Sequence, residues 1–208
     1  MSTVYLSTSY FAPVSYYASF LRYDRIVIEQ WCNYTKQTYR NRCHIAGANG
    51  LLALSVPIVK PDTIKCPTKD IRISDHGEWR HLHWNAIASA YGSSPFSEYY
   101  QDDIRPFFEK RYEFLLDFNE EIRRTVCNLI GIEPHIEYSS SYSEPAPGET
   151  DLRDVIHPKR RKAETILPVQ LKPYYQVFSE KYGFQPDLSI IDLLMNMGPE
   201  SILILQNT

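Results

Sequence analysis

No stretch of this 208-residue chain approaches the roughly 20 consecutive apolar residues that a membrane-spanning helix requires, which excludes a helical span. The opening segment, MSTVYLSTSYFAP, lacks both a basic region and a sustained apolar core, so the expected location is the cytoplasm. Four cysteines, Cys32, Cys43, Cys66 and Cys127, are scattered without a C-x-x-C pair, a pattern of free thiols rather than of disulfides or structural zinc. A surplus of one charge is missing too. With 22 basic and 25 acidic residues the formal net charge is -3, and no global field draws the chain to nucleic acid. There is no G-x-S-x-G, Walker A, G-x-G-x-x-G or H-x-x-x-H element, which removes the common hydrolase, P-loop, dinucleotide and metal-helix readings, and there are no internal repeats.

What is present suffices for one sizeable core. Hydrophobic residues make up 43% of the chain, and residues 1–208 are expected to form a single domain. Tyrosine is abundant, 16 against 9 phenylalanines. Its ring packs while its hydroxyl finds a polar partner, which suits a carbohydrate or interface surface and equally any domain rim.

Val4-Tyr5-Leu6 reads as a first strand, and Pro13 opens a helix with Val14, Tyr17, Ala18 and Leu21 as its apolar stripe. Arg25-Ile-Val-Ile-Glu29 is a second buried strand. The resulting β-α-β unit favours parallel pairing and draws attention to the sheet edge near Ser7 and Gln30. A Gly47-Ala-Asn-Gly50 turn leads into a strand from Leu51 to Ile58, and Asp70 to Ser74 alternates as a strand does. Helix begins near Trp79, breaks at Gly92-Ser-Ser-Pro95 and resumes towards Phe108, with Pro106 at a start or kink. Asn119 to Ile130 has helical periodicity with Gly131 as its stop, and His135 to Tyr138 adds a strand. Residues 139–162 are polar and proline-rich and are expected to be a flexible loop ending in the basic run Lys159-Arg-Arg-Lys162. Ser189 caps a nearly all-apolar helix, with Asp192 in its first turn and Gly198 at its end, followed by a strand from Ser201 to Leu205. Together these elements predict an α/β fold: one three-layer domain with a mixed, mainly parallel sheet and flanking helices.

Three places carry candidate chemistry. The segment from Trp31 to Arg42 combines Lys36, Arg40 and Arg42 with Asn33, Asn41 and aromatics. Guanidinium groups present a planar fork to phosphate and amides read sugar hydroxyls, so the composition suits a nucleotide-linked sugar; it also serves a polar surface loop. In the helix from Trp79, His81 and His83 are two apart and diverge, which argues against zinc, whereas Trp79 and His83 share a face. His83 can accept a proton there or act as a hydrogen-bonded packing element. The basic run 159–162 can close over a diphosphate, touch an anionic membrane surface or remain solvated. Nothing in the residues calls for a metal or a cofactor, and Asp187 and Asp192 are read as capping groups.

The string GFQPDLSIIDLLMNMGPES from Gly183 to Ser201 joins WRHLHWNAIASAYGSSPFSEYY from Trp79 to Tyr100 and the N-terminal strand with its aromatic and proline turn. Together they resemble the WbqC-like protein family. The resemblance implies a place in surface-polysaccharide (O-antigen type) biosynthesis, with an acyl or aminoacyl group such as glycine transferred to a nucleotide-linked amino sugar. It also implies a small-molecule ligand and pathway enzymes as partners. Where the family pattern runs HQPNYLPW, this chain has Ser7-Thr-Ser-Tyr10-Phe-Ala-Pro13-Val14, with Ser7 in the histidine's place. Where it runs DDVQ followed by lysine, this chain has Gln30-Trp-Cys-Asn33 followed by Lys36. A histidine and two acids, the obvious base and metal ligands, are thus replaced. Two functions follow. In a transferase, Lys36 and Arg42 would hold phosphate, His83 would take the amine proton, and Ser7, Tyr10, Asn33, Asn41 and Trp79 would contact substrate. The alternative is a non-catalytic relative that binds a sugar nucleotide or a partner.

Overall fold

The structure is a computed structural model and describes residues 1–63, 65–159 and 170–208. Its first unit is the expected crossover. Strand β1 (Thr3–Ser7) passes through helix α1 (Val14–Arg22) to β2 (Arg25–Glu29), and the two strands pair in parallel with Ser7 opposite Glu29. Val4, Leu6, Ile26 and Ile28 alternate into the core and are almost wholly buried.

A hairpin of β3 (Arg42–Gly47) and β4 (Gly50–Ser55) follows, closed by Ala48-Asn49, with Gly50 at φ +102° where a side chain would be strained. It forms a separate antiparallel sheet. The helices come next: α2 (Trp79–Tyr91), α3 (Ser97–Ile104), α4 (Pro106–Glu109) and α5 (Leu115–Ile130). Gly131 ends α5 in the left-handed conformation, its amide and that of Ile132 both returning to the Cys127 carbonyl. Strands β5 (Ile136–Tyr138) and β6 (Thr150–Asp151) add to the two edges of the first pair, giving a four-stranded parallel sheet in the order β5-β2-β1-β6. The chain is therefore an α/β domain with a mainly parallel sheet.

The C-terminal part contains α6 (Ser179–Tyr182), α7 (Ile190–Met197) and α8 (Ser201–Gln206). Ser189 caps α7 as expected, accepting from the Ile191 amide at 3.3 Å, and its hydroxyl donates to the Phe11 carbonyl at 2.8 Å. The adjacent Asp187 accepts from the Ser15 amide at 2.9 Å and so caps α1 across 172 residues. Phe11 (φ +37°) and Asp187 (φ +59°) both hold left-handed backbone at this junction, a strain of about 1–3 kcal/mol each that the reciprocal caps sustain.

Two expected strands are absent. Ser201 to Leu205 is helical: Pro199 opens a 3-10 turn over Gly198–Glu200 that feeds α8, and only Ser201 and Leu205, four apart, are buried. A five-residue apolar run has no periodicity of its own to separate strand from helix. Asp70 to Ser74 begins in a 3-10 turn (Thr68–Asp70) and then makes only isolated bridges, Arg72 with Phe114 and Ile73 with Ile58. The strand after the hairpin turn exists but ends at Ser55, and its Leu51 and Leu52 are exposed. Helix α5 starts at Leu115, four residues ahead of the expected Asn119. Of the basic run, Lys159 is described; residues 160–162 lie outside the described residues. No described helix is long and apolar enough to cross a membrane.

Candidate functional site

Parallel α/β sheets place ligands beyond the carboxyl ends of their strands. At that edge, the register that sets Ser7 beside Glu29 gathers an unusual concentration of buried charge. Glu29 is fully buried, yet both carboxylate oxygens are occupied: Oε1 accepts from the Trp31 amide (2.6 Å), the Cys32 amide (3.2 Å) and Ser139 Oγ (3.0 Å), and Oε2 from the Ser143 amide (3.3 Å). Arg153 approaches Oε2 at 3.9 Å. It also grips Asp151 through Nε (2.9 Å) and Nη2 (2.6 Å) and donates to the Ser143 carbonyl, so that β6 and the 139–153 segment are tied over the strand ends. The Asp151 hydrogen bonds hold the Arg153 guanidinium charged well beyond its ordinary range. On α5, Glu120 pairs with Arg123 at 2.7 Å and accepts from Tyr138 and Thr8 hydroxyls.

Arg40 differs from these neighbours. Only 4% of it is exposed, its backbone carbonyl is held by Asn119 Nδ2 at 2.8 Å, and Nη2 reaches Cys32 Sγ at 3.4 Å. Nε has no hydrogen-bond partner, and among the described residues no carboxylate lies within ion-pair distance. Ser7 Oγ is likewise buried and unpartnered. Both residues line one narrow cleft with Thr8, Ser9 and Arg153, with room for about one water-sized group. Two orphaned polar groups, one on a cation, are costly to bury. The charge of Arg40 is felt around it: it adds to the burial that lowers His157 and opposes the burial that lifts the Tyr34 phenol to about 12.

The residues singled out by sequence fall into three groups. Ser7 is in the cleft. Tyr10, Trp79, His83, Asn41 and Arg42 gather instead around the end of β4. The Tyr10 hydroxyl lies 2.9 Å from His83 Nδ1, and the Trp79 and His83 rings are 5.2 Å apart. The backbone of Ser55 accepts from the same imidazole, Arg42 Nε donates to Ser55 Oγ at 2.9 Å, and Asn41 Nδ2 donates to the Val56 carbonyl at 2.8 Å. Burial lowers His83 to about 4 and raises Tyr10 well above its ordinary range, so at neutral pH the phenol donates to a neutral ring. Asn33 and Lys36 are exposed on the connection between β2 and β3, Asn33 bridging to Pro67. All four cysteines are free, and no group of three metal-ligating side chains occurs among the described residues.

Glu29, Arg153 and the Glu120–Arg123 pair were not indicated by sequence. A carboxylate closing an otherwise apolar strand is the one sequence signal from which Glu29 could have been found. Arg40 stood in the sequence as one of three cations in its segment, and only the fold distinguishes it by burying it.

Residues 8–167 match the WbqC-like protein family. The chain is 25% identical over 214 aligned positions to the uncharacterized protein Rv1507c of Mycobacterium tuberculosis, an alignment that covers 92% of this chain and 89% of that one. No solved structure matches it.

Proposed function

Since the chain belongs to the WbqC-like protein family, we propose that it acts in surface-polysaccharide biosynthesis by binding a nucleotide-linked amino sugar at the carboxyl edge of its sheet. The observation that carries this reading is the pair of unsatisfied groups in the cleft, Arg40 Nε and Ser7 Oγ. A phosphate oxygen entering the cleft would accept from both, and the guanidinium would offset its charge. The remainder of the ligand would lie outside, along the segment that carries Lys36 and Arg42.

Thermal stability against a panel of nucleotide sugars, free nucleotides, coenzyme A thioesters and aminoacyl donors tests the assignment. A ligand at 100 times its Kd adds about 2.7 kcal/mol, or roughly 5 to 11 °C for a chain of this size. The shift should be confined to nucleotide sugars, weakened in Ser7→Ala and abolished in Arg40→Met, with Arg40→Lys intermediate. A flat panel, or a shift indifferent to these variants, would remove the assignment.

Whether an acyl or aminoacyl group is then transferred is a separate matter, and one observation favours binding without turnover. His83, the candidate base, is enclosed by Tyr10, Trp79 and the Ser55 carbonyl, and Glu29 already accepts four hydrogen bonds. A transferase would give product whose formation collapses in His83→Ala; a binding protein would show ligand-dependent stability and no product at any pH.

A further inference from the structure

A second cavity lies between the start of α2 and helix α4, with a volume of about 360 Å³, within the range of small-ligand pockets. Trp84 and Phe108 line it, their ring centroids 5.9 Å apart and tilted by 38°. Around this aromatic surface stand charged side chains of both signs. Arg80 is held by Asp75 at 2.7 Å and by the Lys110 carbonyl at 3.1 Å, while its Nη2 is buried without a partner. Arg111, largely exposed, reaches the other Asp75 oxygen at 3.5 Å, and Arg105 pairs with Glu109 at 2.7 Å.

The balance of these charges decides what the cavity suits. Three arginines face the three carboxylates of Asp75, Glu78 and Glu109, so a phosphate finds no net attraction here, in contrast to the cleft at Arg40. Apolar ligands are disfavoured by the charged rim. A ring bearing many hydroxyls fits both features: its C–H face covers the indole, and its hydroxyls donate to carboxylates and accept from guanidinium groups such as the exposed Arg111. We propose that this cavity is a glycan-binding site, separate from the anionic cleft.

The site is tested with neutral trisaccharides, so the outcome does not depend on Arg40 or on nucleotide-sugar binding. Saturation-transfer NMR and tryptophan fluorescence would be recorded with maltotriose, mannotriose and N,N',N''-triacetylchitotriose. The expected result is binding of at least one, weakened about tenfold in Arg111→Ala, the order expected for hydrogen bonds to a charged group. Trp84→Ala should abolish it. Because Trp84 also packs on Phe108, the melting profile of that variant is checked, and Arg111→Ala, altered at an exposed position, carries the test if Trp84→Ala does not fold. Binding of no trisaccharide, or binding unaltered in Arg111→Ala, would overturn the proposal.

Discussion

Protonating His83 should unfold part of the margin that holds this domain together. Burial lowers the imidazole from its ordinary 6.5 to about 4, against a smaller opposing contribution from the Ser55 carbonyl. The folded state therefore binds the proton less tightly than the unfolded chain, so the stability is fully present above pH 6.5 and is lost as pH falls through the interval down to 4. A shift of about 2.5 units corresponds to about 3 kcal/mol. Other groups titrate in the same interval, Asp192 with opposite sign, so the quantity to follow is a difference. His83→Gln retains a donor and an acceptor but no titrating group. Urea denaturation at several pH values should show the wild type's advantage over His83→Gln shrinking by about 3 kcal/mol between pH 7 and pH 4. NMR titration of the ring should give a midpoint near 4, with the proton on Nε2. A difference independent of pH, or a midpoint near 6.5, would refute the reasoning and return His83 to the pool of competent bases.

Two further perturbations test other parts of the fold. Burial raises the Asp192 carboxyl to about 6 despite hydrogen bonds from Tyr174, Gln176 and Tyr91. Its penalty grows from about pH 3.8 up to pH 6 and is constant well above, so Asp192→Asn should gain on the wild type by about 2.4 kcal/mol between pH 4 and pH 7. A pH-independent difference in denaturation midpoint would contradict this. At Gly198 a Cβ would sit 2.4 Å from Phe96 Cδ1, and φ is +54°. Gly198→Ala should cost about 2–4 kcal/mol, or roughly 4 to 16 °C in Tm, and a loss under 1 kcal/mol would mean that the Phe96 ring yields freely.

Local signals carried most of the fold. The crossover, the break at Gly92 to Pro95, the stop at Gly131 and the cap at Ser189 rest on residues whose backbone chemistry acts within one turn, and each stands where the sequence placed it. What failed was decided outside the segment itself. Ser201 to Leu205 is helical because Pro199 sets the chain's direction and α8 buries only one stripe, and β6 is two residues whose sole credential is pairing with β1. The site followed the same division. Ser7 could be placed because it ends a recognisable strand, whereas Arg40 and Lys36 look alike in sequence, and the fold buries the first, its backbone held by Asn119 79 residues away, and leaves the second in water.

The central claim is that a ligand oxygen completes the coordination of Arg40, and the Nε–H of that side chain reports it directly. Its ¹⁵N-correlated resonance, assigned by comparison with Arg40→Lys, would be followed while the nucleotide sugar giving the largest thermal shift is titrated in. Formation of a hydrogen bond at Nε should move the proton downfield and slow its exchange with water, saturating with the same Kd as the thermal response. A ligand that saturates the protein while the Arg40 Nε signal stays in place, or the absence of any nucleotide sugar that binds, would contradict it.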